Sequence, residues 1–467
     1  MTVTNQTGVV RLQGEHFFQE MLRNDFKNVI TETLRDPNTL LGKLMSASKT
    51  QHYGKVREWR THKGRSTGNG ATGMDGKLPD PGAQVYGKYF ASFRSLRARI
   101  LVDQLLSNVS RSQVAAWAES IGSEMTRLVD DNKYLMNRML HGDGSGIVAE
   151  FGTNVAGNQW NLAMTPPAEL TIEGSTYMPN YDPSMWLREG KSYVAITPDA
   201  DPDLDEVSCV FSLTSIDSAS TVTVSVAYGS INAGDLIVEV GSTDDDLTGE
   251  TIAAGTGSGR RLRDTAYRRE IMGIAGLASD ADVPRAYSFE DEGMASTTGF
   301  QGIASATNPY NQGIVDDLAS GSRPVTSMLL HRSIAQYHKK NLIKPDQALC
   351  SYEMANAIYQ MLVSERIFVQ NSQASPAFNG EIDNMNLRWG SLNFTPDKDC
   401  LPHRIYMWAS KCVEWLAVRE WEWMDKDGSI FSRLPDFEKY QATMVWDGNI
   451  LTKLRREFMV ITNLEEA

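Results

Sequence analysis

The tripeptide Gly190-Lys191-Ser192 has the residue types that hold phosphate in a nucleotide-binding loop. Such a loop also needs a glycine five residues before the second glycine, and Met185 stands there. The tripeptide precedes a predicted strand, whereas the lysine of a phosphate loop opens a helix. A glycine-rich stretch at 255–261 offers backbone N–H groups to an anion, but its composition favours a flexible linker. We therefore predict no nucleotide site and no cofactor.

Metal-binding and catalytic residue types are scattered along the sequence. His331 and His338 are seven residues apart, whereas zinc ligands on a helix are usually three or four residues apart with a third ligand nearby. The pairs Asp130-Asp131 and Asp316-Asp317 fall on predicted helices and are typical of solvated faces. No His-Glu-x-x-His motif is present. These patterns predict no catalytic residue and no metal site.

Basic residues are crowded into one short segment: His52, Lys55, Arg57, Arg60, His62, Lys63 and Arg65. Such a cluster can bind DNA phosphate as a surface of point charges, but no nucleic-acid recognition module accompanies it. Acidic stretches at 199–206 and 244–246 offer another partner, on a neighbouring subunit. The alternative that both the basic cluster and the acidic stretches are simply exposed to water stays open. We predict a subunit interface whose basic side includes Arg57, Arg60, Lys63 and Arg65.

Length, composition and charge limit the class of protein. The 467 residues suffice for about three domains of roughly 150 residues. A hydrophobic content of 41% with 22% charged residues fits a globular protein, and the net charge of −13 argues against a surface that binds nucleic acid throughout. Without a long apolar run or a signal peptide, no membrane contact is expected. Four widely spaced cysteines predict reduced thiols in a cytosolic context.

The elements that must position these residues are dominated by one amphipathic segment, Ser110–His141. Its apolar residues recur at alternating steps of three and four, which places them on one face of a helix about 45 Å long. Ser110 and Gln113 form a predicted capping box, and Gly142 is expected to end the helix with a positive φ. A helix of this length is a strut rather than a typical element of a small enzyme.

A glycine-rich tract, Gly64–Gly82, follows the basic cluster, and the loose alternation of residues 85–102 predicts a returning strand. We predict an extended loop or hairpin tip there. Residues 151–183 are expected to be irregular, and residues 185–240 to form a separable antiparallel β-domain or barrel. Its predicted strands are Ser192–Ile196, Val207–Ser215, Thr221–Ala227 and Asp235–Val240.

The remainder of the chain has a mixed α/β pattern. Helices are predicted at Ile314–Leu318, Ser333–Leu342 and Tyr352–Ser364, and a buried strand at Val325–Leu330. Further strands are predicted at Leu387–Phe394, Ile405–Trp408, Val413–Trp423, Tyr440–Trp446 and Leu454–Ile461. The tryptophans at 408, 415, 421 and 423 are expected to pack in the core or at interfaces.

The order of these parts resembles the major capsid protein of tailed double-stranded DNA phages, with the Hong Kong ninety-seven type fold. The resemblance covers most of residues 1–150 and 265–467. Its individual motifs are short, so the resemblance rests on their order along the chain. They are the loop segment Asp75–Gly82, the helix end Arg138–Gly146, and the segments Gln301–Ile303, Met328–Tyr337, Trp423–Gly428 and Leu454–Ile461.

The resemblance implies an α+β fold with six parts. They are an N-terminal arm at 1–50, an extended loop at 51–95, a peripheral domain with the long spine helix at 96–150, an inserted small antiparallel β-domain with its linkers at 151–264, an axial domain at 265–400, and a return to the peripheral domain at 401–467. Members that are covalently crosslinked join a loop lysine to an asparagine. Lys77 and Lys88 lie in the corresponding region and extend the expected interface, but no motif identifies a partner asparagine, and most members lack the crosslink.

The same resemblance implies a non-enzymatic subunit that assembles into hexamers and pentamers of an icosahedral phage head enclosing double-stranded DNA. The expected location is the virion, after assembly in the cytoplasm of the host bacterium. Expected partners are further copies of the chain, a separate scaffolding protein, a portal, a decoration protein, and packaged DNA held by weak non-specific contact.

Two other classes stay open at this point. A portal or tail subunit would carry longer helical stem segments near the middle of the chain, where this sequence is rich in β-type patterns. A cytosolic hydrolase with an appended β-domain would need catalytic motifs that the sequence lacks.

Overall fold

One long helix, two sheets, a β-barrel and a two-stranded ribbon dominate the part of the chain that the computed structural model describes. The predicted N-terminal arm lies mostly outside this part. The described residues are 39–45, 48–51, 56–64, 66, 68–72, 74, 76, 80–103, 114–163, 183–198, 206–225, 231–240, 266–267, 269–280, 309–317, 323–341, 343–364, 385–387, 390–424, 430, 432–433, 439–452 and 454–465.

The α-helices of the described residues are α1 (Thr39–Met45), α2 (Val114–His141), α3 (Ile274–Ala278), α4 (Ser327–Asn341) and α5 (Tyr352–Ser364). None of the helices in these ranges is both long and apolar enough to span a bilayer.

The strands of the first half are β1 (Ser48–Gln51), β2 (Val56–Gly64), β3 (Val85–Ser92), β4 (Arg94–Asp103), β5 (Ile147–Ala156), β6 (Gln159–Leu162), β7 (Ser192–Thr197), β8 (Glu206–Ser218), β9 (Thr221–Val224) and β10 (Leu236–Glu239). Those of the second half are β11 (Ile314–Asp316), β12 (Gln347–Cys350), β13 (Met385–Leu387), β14 (Gly390–Pro396), β15 (Ile405–Trp408), β16 (Val413–Trp423), β17 (Ser432–Arg433), β18 (Lys439–Thr452) and β19 (Phe458–Ile461).

Helix α2 confirms the predicted spine helix. It begins at Val114, and the predicted cap at Ser110 lies outside the described residues. Its 28 residues span about 42 Å at 1.5 Å per residue. The last six residues, 136–141, are all buried, so the helix ends deep inside the protein.

The chain leaves α2 differently from the prediction. Gly142 donates its N–H to the carbonyl of Met139 at 3.1 Å, but the positive φ angles fall later, at Gly144 (φ 86°) and Gly146 (φ 82°). A Cβ at Gly146 would lie 2.6 Å from the carbonyl oxygen of Ala266. Glycine is therefore required at 146 both for the left-handed backbone and for the close approach of residue 266.

One sheet has the order β1-β16-β18-β17, with β4 also paired to β18. Strand β1 runs parallel to β16, and the other pairings are antiparallel. Trp415 and Trp446 are buried with ring centroids 5.5 Å apart, and Trp408 of β15 is also buried. The core role predicted for the tryptophans is confirmed for Trp408 and Trp415, whereas Trp421 and Trp423 are half-buried.

The second sheet has the order β11-β19-β15-β12-β14-β13 and contains both parallel and antiparallel pairs. Alternate residues of its strands face two different hydrophobic clusters. Met407 and Met459 belong to the cluster that contains α4 and α5, while Tyr406 and Val460 belong to the main core that contains the end of α2. This sheet is therefore buried on both faces.

Two predictions in this region were wrong. Residues 314–316 form strand β11 instead of a short helix, because they pair in parallel with β19. Residues 327–330 open helix α4 instead of a strand, and Leu330 and Ile334 face the core from the helix. The helix predicted at Tyr352–Ser364 is confirmed as α5 with the same bounds.

A closed barrel follows α2, with strand order β10-β5-β6-β9-β8-β7 and antiparallel pairing throughout. The predicted antiparallel β-domain is thereby confirmed, but residues 151–162 were wrongly predicted to be irregular. Strands β5 and β6 lie there and complete the barrel. Phe151 of β5 packs on Phe211 of β8 with ring centroids 5.3 Å apart. Because the barrel interior and Leu140 of α2 belong to one hydrophobic cluster, barrel and helix share a core.

The predicted domain boundaries do not coincide with the limits of the sheets. Strands β15 and β19 lie after residue 400 but belong to the sheet of β11–β14, while β16 and β18 pair with the sheet that contains β4. The six-part division stays a prediction.

Candidate subunit interface

Strands β2 and β3 form an antiparallel two-stranded ribbon that carries the predicted basic cluster. Val56 pairs with Ser92 at its base and Gly64 with Val85 at its tip, with Arg60 opposite Lys88 between them. Nine residues at about 3.3 Å each make the ribbon roughly 30 Å long. An isolated two-stranded ribbon is marginally stable in water, so its conformation depends on what it contacts.

The base of the ribbon is fixed to its own subunit. Trp59 and Phe93 pack against the buried side chain of Leu416 on β16. Beside them the guanidinium Nη2 of Arg57 lies 3.8 Å from a carboxylate oxygen of Glu414. Arg57 therefore has an acidic partner within its own chain, and its contact with a neighbouring subunit stays a prediction.

The tip of the ribbon is drawn together by polar contacts and has exposed apolar side chains. The Ser66 hydroxyl donates to the carbonyl of Gly82 at 2.8 Å, and a Cβ at Gly68 would lie 2.8 Å from the Gly82 nitrogen. Beyond this contact Met74 is fully exposed, and Tyr86 at the start of the return strand is 60% exposed. The tip thus offers apolar surface that its own subunit does not cover.

The prediction that the sequence lacks catalytic motifs was wrong at the level of pattern, because Gly64-Arg65-Ser66-Thr67-Gly68 has the Gly-x-Ser-x-Gly spacing of a hydrolase nucleophile elbow. An elbow places its serine between a strand and a helix, on top of a sheet. Ser66 instead follows the end of a ribbon strand, and its hydroxyl holds the opposite limb of the same loop. The described residues of the pentapeptide therefore lack the strand–serine–helix arrangement of an elbow.

The other predicted interface residues divide between strands and tip. Arg60 on β2 is exposed. Lys63 and Lys88 lie on β2 and β3 with only their backbone described, while Arg65 and Lys77 lie outside the described residues. Of the two acidic stretches, the described residues contain Glu206, which begins β8.

A buried charge network joins the spine helix to the barrel, and sequence reasoning missed it. Arg138 on α2 contacts the carboxylate of Glu270, and its Nε lies 3.6 Å from an oxygen of Glu239 on β10. Lys191 reaches the other oxygen of Glu239 at 2.7 Å. The lysine of the phosphate-loop-like tripeptide therefore binds a carboxylate in this structure.

Burial and pairing act against each other in this network. Burial raises the pKa of Glu270, although Arg138 opposes the shift. Burial alone would also raise the pKa of Glu239, but Arg138 and Lys191 outweigh it and lower that pKa. The cations thus offset the cost of burying the two carboxylates, fully for Glu239 and only in part for Glu270.

Asp316 and Asp317 correct a second prediction, because they lie on and after strand β11 instead of a solvated helix face. The carboxylate of Asp316 is buried, 3.1 Å from Arg323 Nη1, and accepts the Ser333 hydroxyl at 2.7 Å. Asp317 accepts the Thr462 hydroxyl at 2.8 Å. Both carboxylates join the strand to neighbouring segments and have a structural role.

The described residues contain one group that could hold a metal ion: His141, Asp397 and Asp399, whose ligand atoms lie within 4.8 Å of one another. No metal site was predicted from the sequence. Neither His331 nor His338 belongs to this group, and both lie on α4.

Together these features define the class of fold. A long spine helix, a two-stranded ribbon, an inserted barrel and two sheets make up an α+β fold of the kind found in the Hong Kong ninety-seven type capsid proteins of tailed phages. The predicted fold class is thereby confirmed.

Solved phage capsid structures are similar to this chain to different degrees, and the first of them shares its fold. The chain matches a chain of the cyanophage A-1(L) capsid asymmetric unit with a TM-score of 0.51 and 11% identity, covering 95% of this chain and 98% of that one. The capsid of a native GTA particle matches with a TM-score of 0.44 and 8% identity over 94% of each chain. The capsid of cyanophage P-SCSP1u matches with a TM-score of 0.42 and 8% identity over 98% of each chain. No family model matches, and no curated protein is significantly similar in sequence.

Proposed function

We propose that this chain is the major capsid protein of a tailed phage, assembling as hexamers and pentamers into the icosahedral head that encloses the DNA. The single observation that carries the proposal is the shared fold, which extends over nearly the whole of this chain and of the cyanophage capsid chain. The role is structural and not enzymatic, and the location is the virion, after assembly in the host cytoplasm.

The ribbon supports this proposal physically. A thin shell requires each subunit to contact several neighbours, and segments that protrude beyond their own core supply that reach. Here the ribbon base is fixed by Trp59 and Arg57, whereas Met74 and Tyr86 near the tip expose apolar surface. We assign the tip to a neighbouring subunit, with Arg60, Lys63, Arg65, Lys77 and Lys88 along the contact.

The remaining partners follow from the same proposal. A separate scaffolding protein guides assembly, a portal occupies one vertex, and a decoration protein binds the outer surface. The net charge of −13 keeps the contact with packaged DNA weak and non-specific, because a wall of the same sign as the polyanion does not hold it tightly.

Deleting residues 69–79 from the tip tests the proposal. The deletion keeps Ser66, Gly68 and Gly82, which draw the two limbs together. We expect a soluble, folded subunit that fails to form closed shells by negative-stain microscopy. A matched variant that replaces the same eleven residues by glycine and serine retains the length and removes the side chains. Normal shells from both variants would refute the role of the tip, and absence of shells or capsomers from the unaltered protein would refute the proposed function.

A further inference from the structure

We infer that His141, Asp397 and Asp399 form a binding site for one divalent transition-metal ion of the zinc class. The three residues come from two distant parts of the chain. His141 is the last residue of α2, and the two aspartates belong to the turn after β14. Their ligand atoms lie within 4.8 Å of one another.

The imidazole of His141 is oriented as a metal ligand. The side chain is buried, with 2% exposure, and its Nδ1 lies 2.9 Å from the carbonyl of Asn137, one turn earlier on α2. A carbonyl oxygen only accepts, so Nδ1 carries the proton. This bond to a backbone carbonyl is the support that metal-ligating histidines usually have, because it fixes the ring and turns the other nitrogen to the metal.

The other nitrogen, Nε2, is buried and has no hydrogen-bond partner among the described residues. It faces an oxygen of Asp397 at 3.7 Å, a distance beyond hydrogen bonding. A metal cation between Nε2 and this oxygen would coordinate both atoms. In a tetrahedral site, Zn–N and Zn–O bonds of about 2.0–2.2 Å place neighbouring ligand atoms about 3.3–3.6 Å apart, slightly closer than the 3.7 Å between His141 Nε2 and the Asp397 oxygen.

Hydrogen bonds also hold the two carboxylates beside this imidazole. The Asn137 amide donates to Asp399 at 2.8 Å and to Asp397 at 3.2 Å, so one side chain brings both acids together. Asp397 also accepts the N–H of Leu40 at 3.3 Å, at the start of α1. One imidazole and two carboxylates form a mixed nitrogen and oxygen donor set that suits zinc or manganese better than magnesium.

The site lies where three segments meet: α1, the end of the spine helix and the turn between β14 and β15. A bound ion would hold them together and stabilise the folded subunit by an amount that grows with the logarithm of the ion concentration above the Kd. This inference does not depend on the proposed function, since it concerns a site inside one chain.

Metal binding to the full-length, untagged protein tests the inference, since a polyhistidine tag would bind the same ions. After removal of metals by a chelator, titration calorimetry with Zn²⁺ should give one equivalent per chain, and the Tm should rise with Zn²⁺. The variants Asp399→Asn and His141→Gln should each weaken binding at least about tenfold and lose the Tm shift. Asp130→Asn is the matched control, because Asp130 pairs with Lys133 on the exposed side of the same helix.

Two results would overturn the inference. One is the absence of stoichiometric Zn²⁺ and Mn²⁺ binding by the unaltered protein, a result that needs no variant to fold. Equal Zn²⁺ affinity in the unaltered protein and in both variants would place the ion elsewhere. If one variant does not give a folded circular dichroism spectrum, the other decides the comparison.

Discussion

Arg60 is the residue at which the interface proposal can be tested most directly. It is exposed, whereas Arg57 beside it already has Glu414 as a partner in its own subunit. Each exposed ion pair contributes only about 0–1 kcal/mol, but the contact recurs in every subunit of a shell. Arg60→Glu should therefore slow assembly, measured by light scattering, and change its salt dependence. Arg60→Lys, which keeps the charge, should assemble normally. Equal rates for all three proteins from low to high salt would contradict the prediction.

Arg138 is the cation that contacts both buried carboxylates of the network, so its removal should make the free energy of unfolding depend on pH. In Arg138→Met the carboxyl of Glu270 loses the cation that opposes the effect of burial, so its pKa rises further. A carboxyl group whose pKa is higher in the folded than in the unfolded protein stabilises the folded state fully below the unfolded pKa of about 4.3. This contribution is lost as the pH rises through the folded pKa. Breaking such a pair costs about 3–5 kcal/mol near neutral pH.

Urea unfolding of Arg138→Met between pH 5 and 8 measures this effect, with Lys133→Met as the control. Lys133 forms a salt bridge on the same helix, but its side chain is 47% exposed. The control should lose little stability at any pH. A pH profile of Arg138→Met that runs parallel to that of the unaltered protein would show that the buried carboxylates do not depend on Arg138.

Among the elements, the barrel is the one whose limits differ most from the prediction. Residues 184–242 lack β5 and β6, two of the six strands that close the barrel. We now expect a fragment 184–242 to show no cooperative unfolding in circular dichroism. A fragment 114–242, which contains all six strands and the spine helix, should unfold cooperatively. A sharp transition of the short fragment would mean that four strands suffice.

Sequence reasoning predicted elements well where local pattern and packing agree. Helix α5 has apolar residues at helical spacing and was predicted with its observed bounds. Strand β5 was missed because its second half is exposed and polar, so no hydrophobic alternation marks it. The segment Val325–Leu330 was predicted to be a strand. Residues 327–330 instead begin helix α4, and Leu330 packs in the core from that helix.

The candidate sites were predictable only in part for a related reason. The basic cluster is contiguous in sequence, and the ribbon could be predicted from it and from the glycine tract. The group around His141 could not, because Asn137 and Asp397 are 260 residues apart and no spacing rule joins them. Only the fold brings the end of the spine helix to that turn.

At the scale of the whole molecule, assembly should change the exposure of the ribbon tip. Met74 is fully exposed in the single subunit, whereas Met136 on the spine helix is buried. Brief peroxide treatment followed by mass spectrometry should oxidise Met74 in free subunits and spare it in shells. Met136 should stay unoxidised in both. Equal oxidation of Met74 in the two states would mean that the tip does not lie against a neighbour.

Strand β4 pairs along its whole length with β18, and Ser95 hydrogen-bonds to Asp447 across 352 residues of sequence. At 5–20 residues per second, the ribosome takes roughly 20 to 70 s to synthesise that interval. During this time β4 has an unpaired edge that can pair wrongly with another nascent chain. A chain that terminates before residue 439 cannot complete this sheet. We therefore expect prematurely terminated chains to be excluded from the shell by their failure to fold.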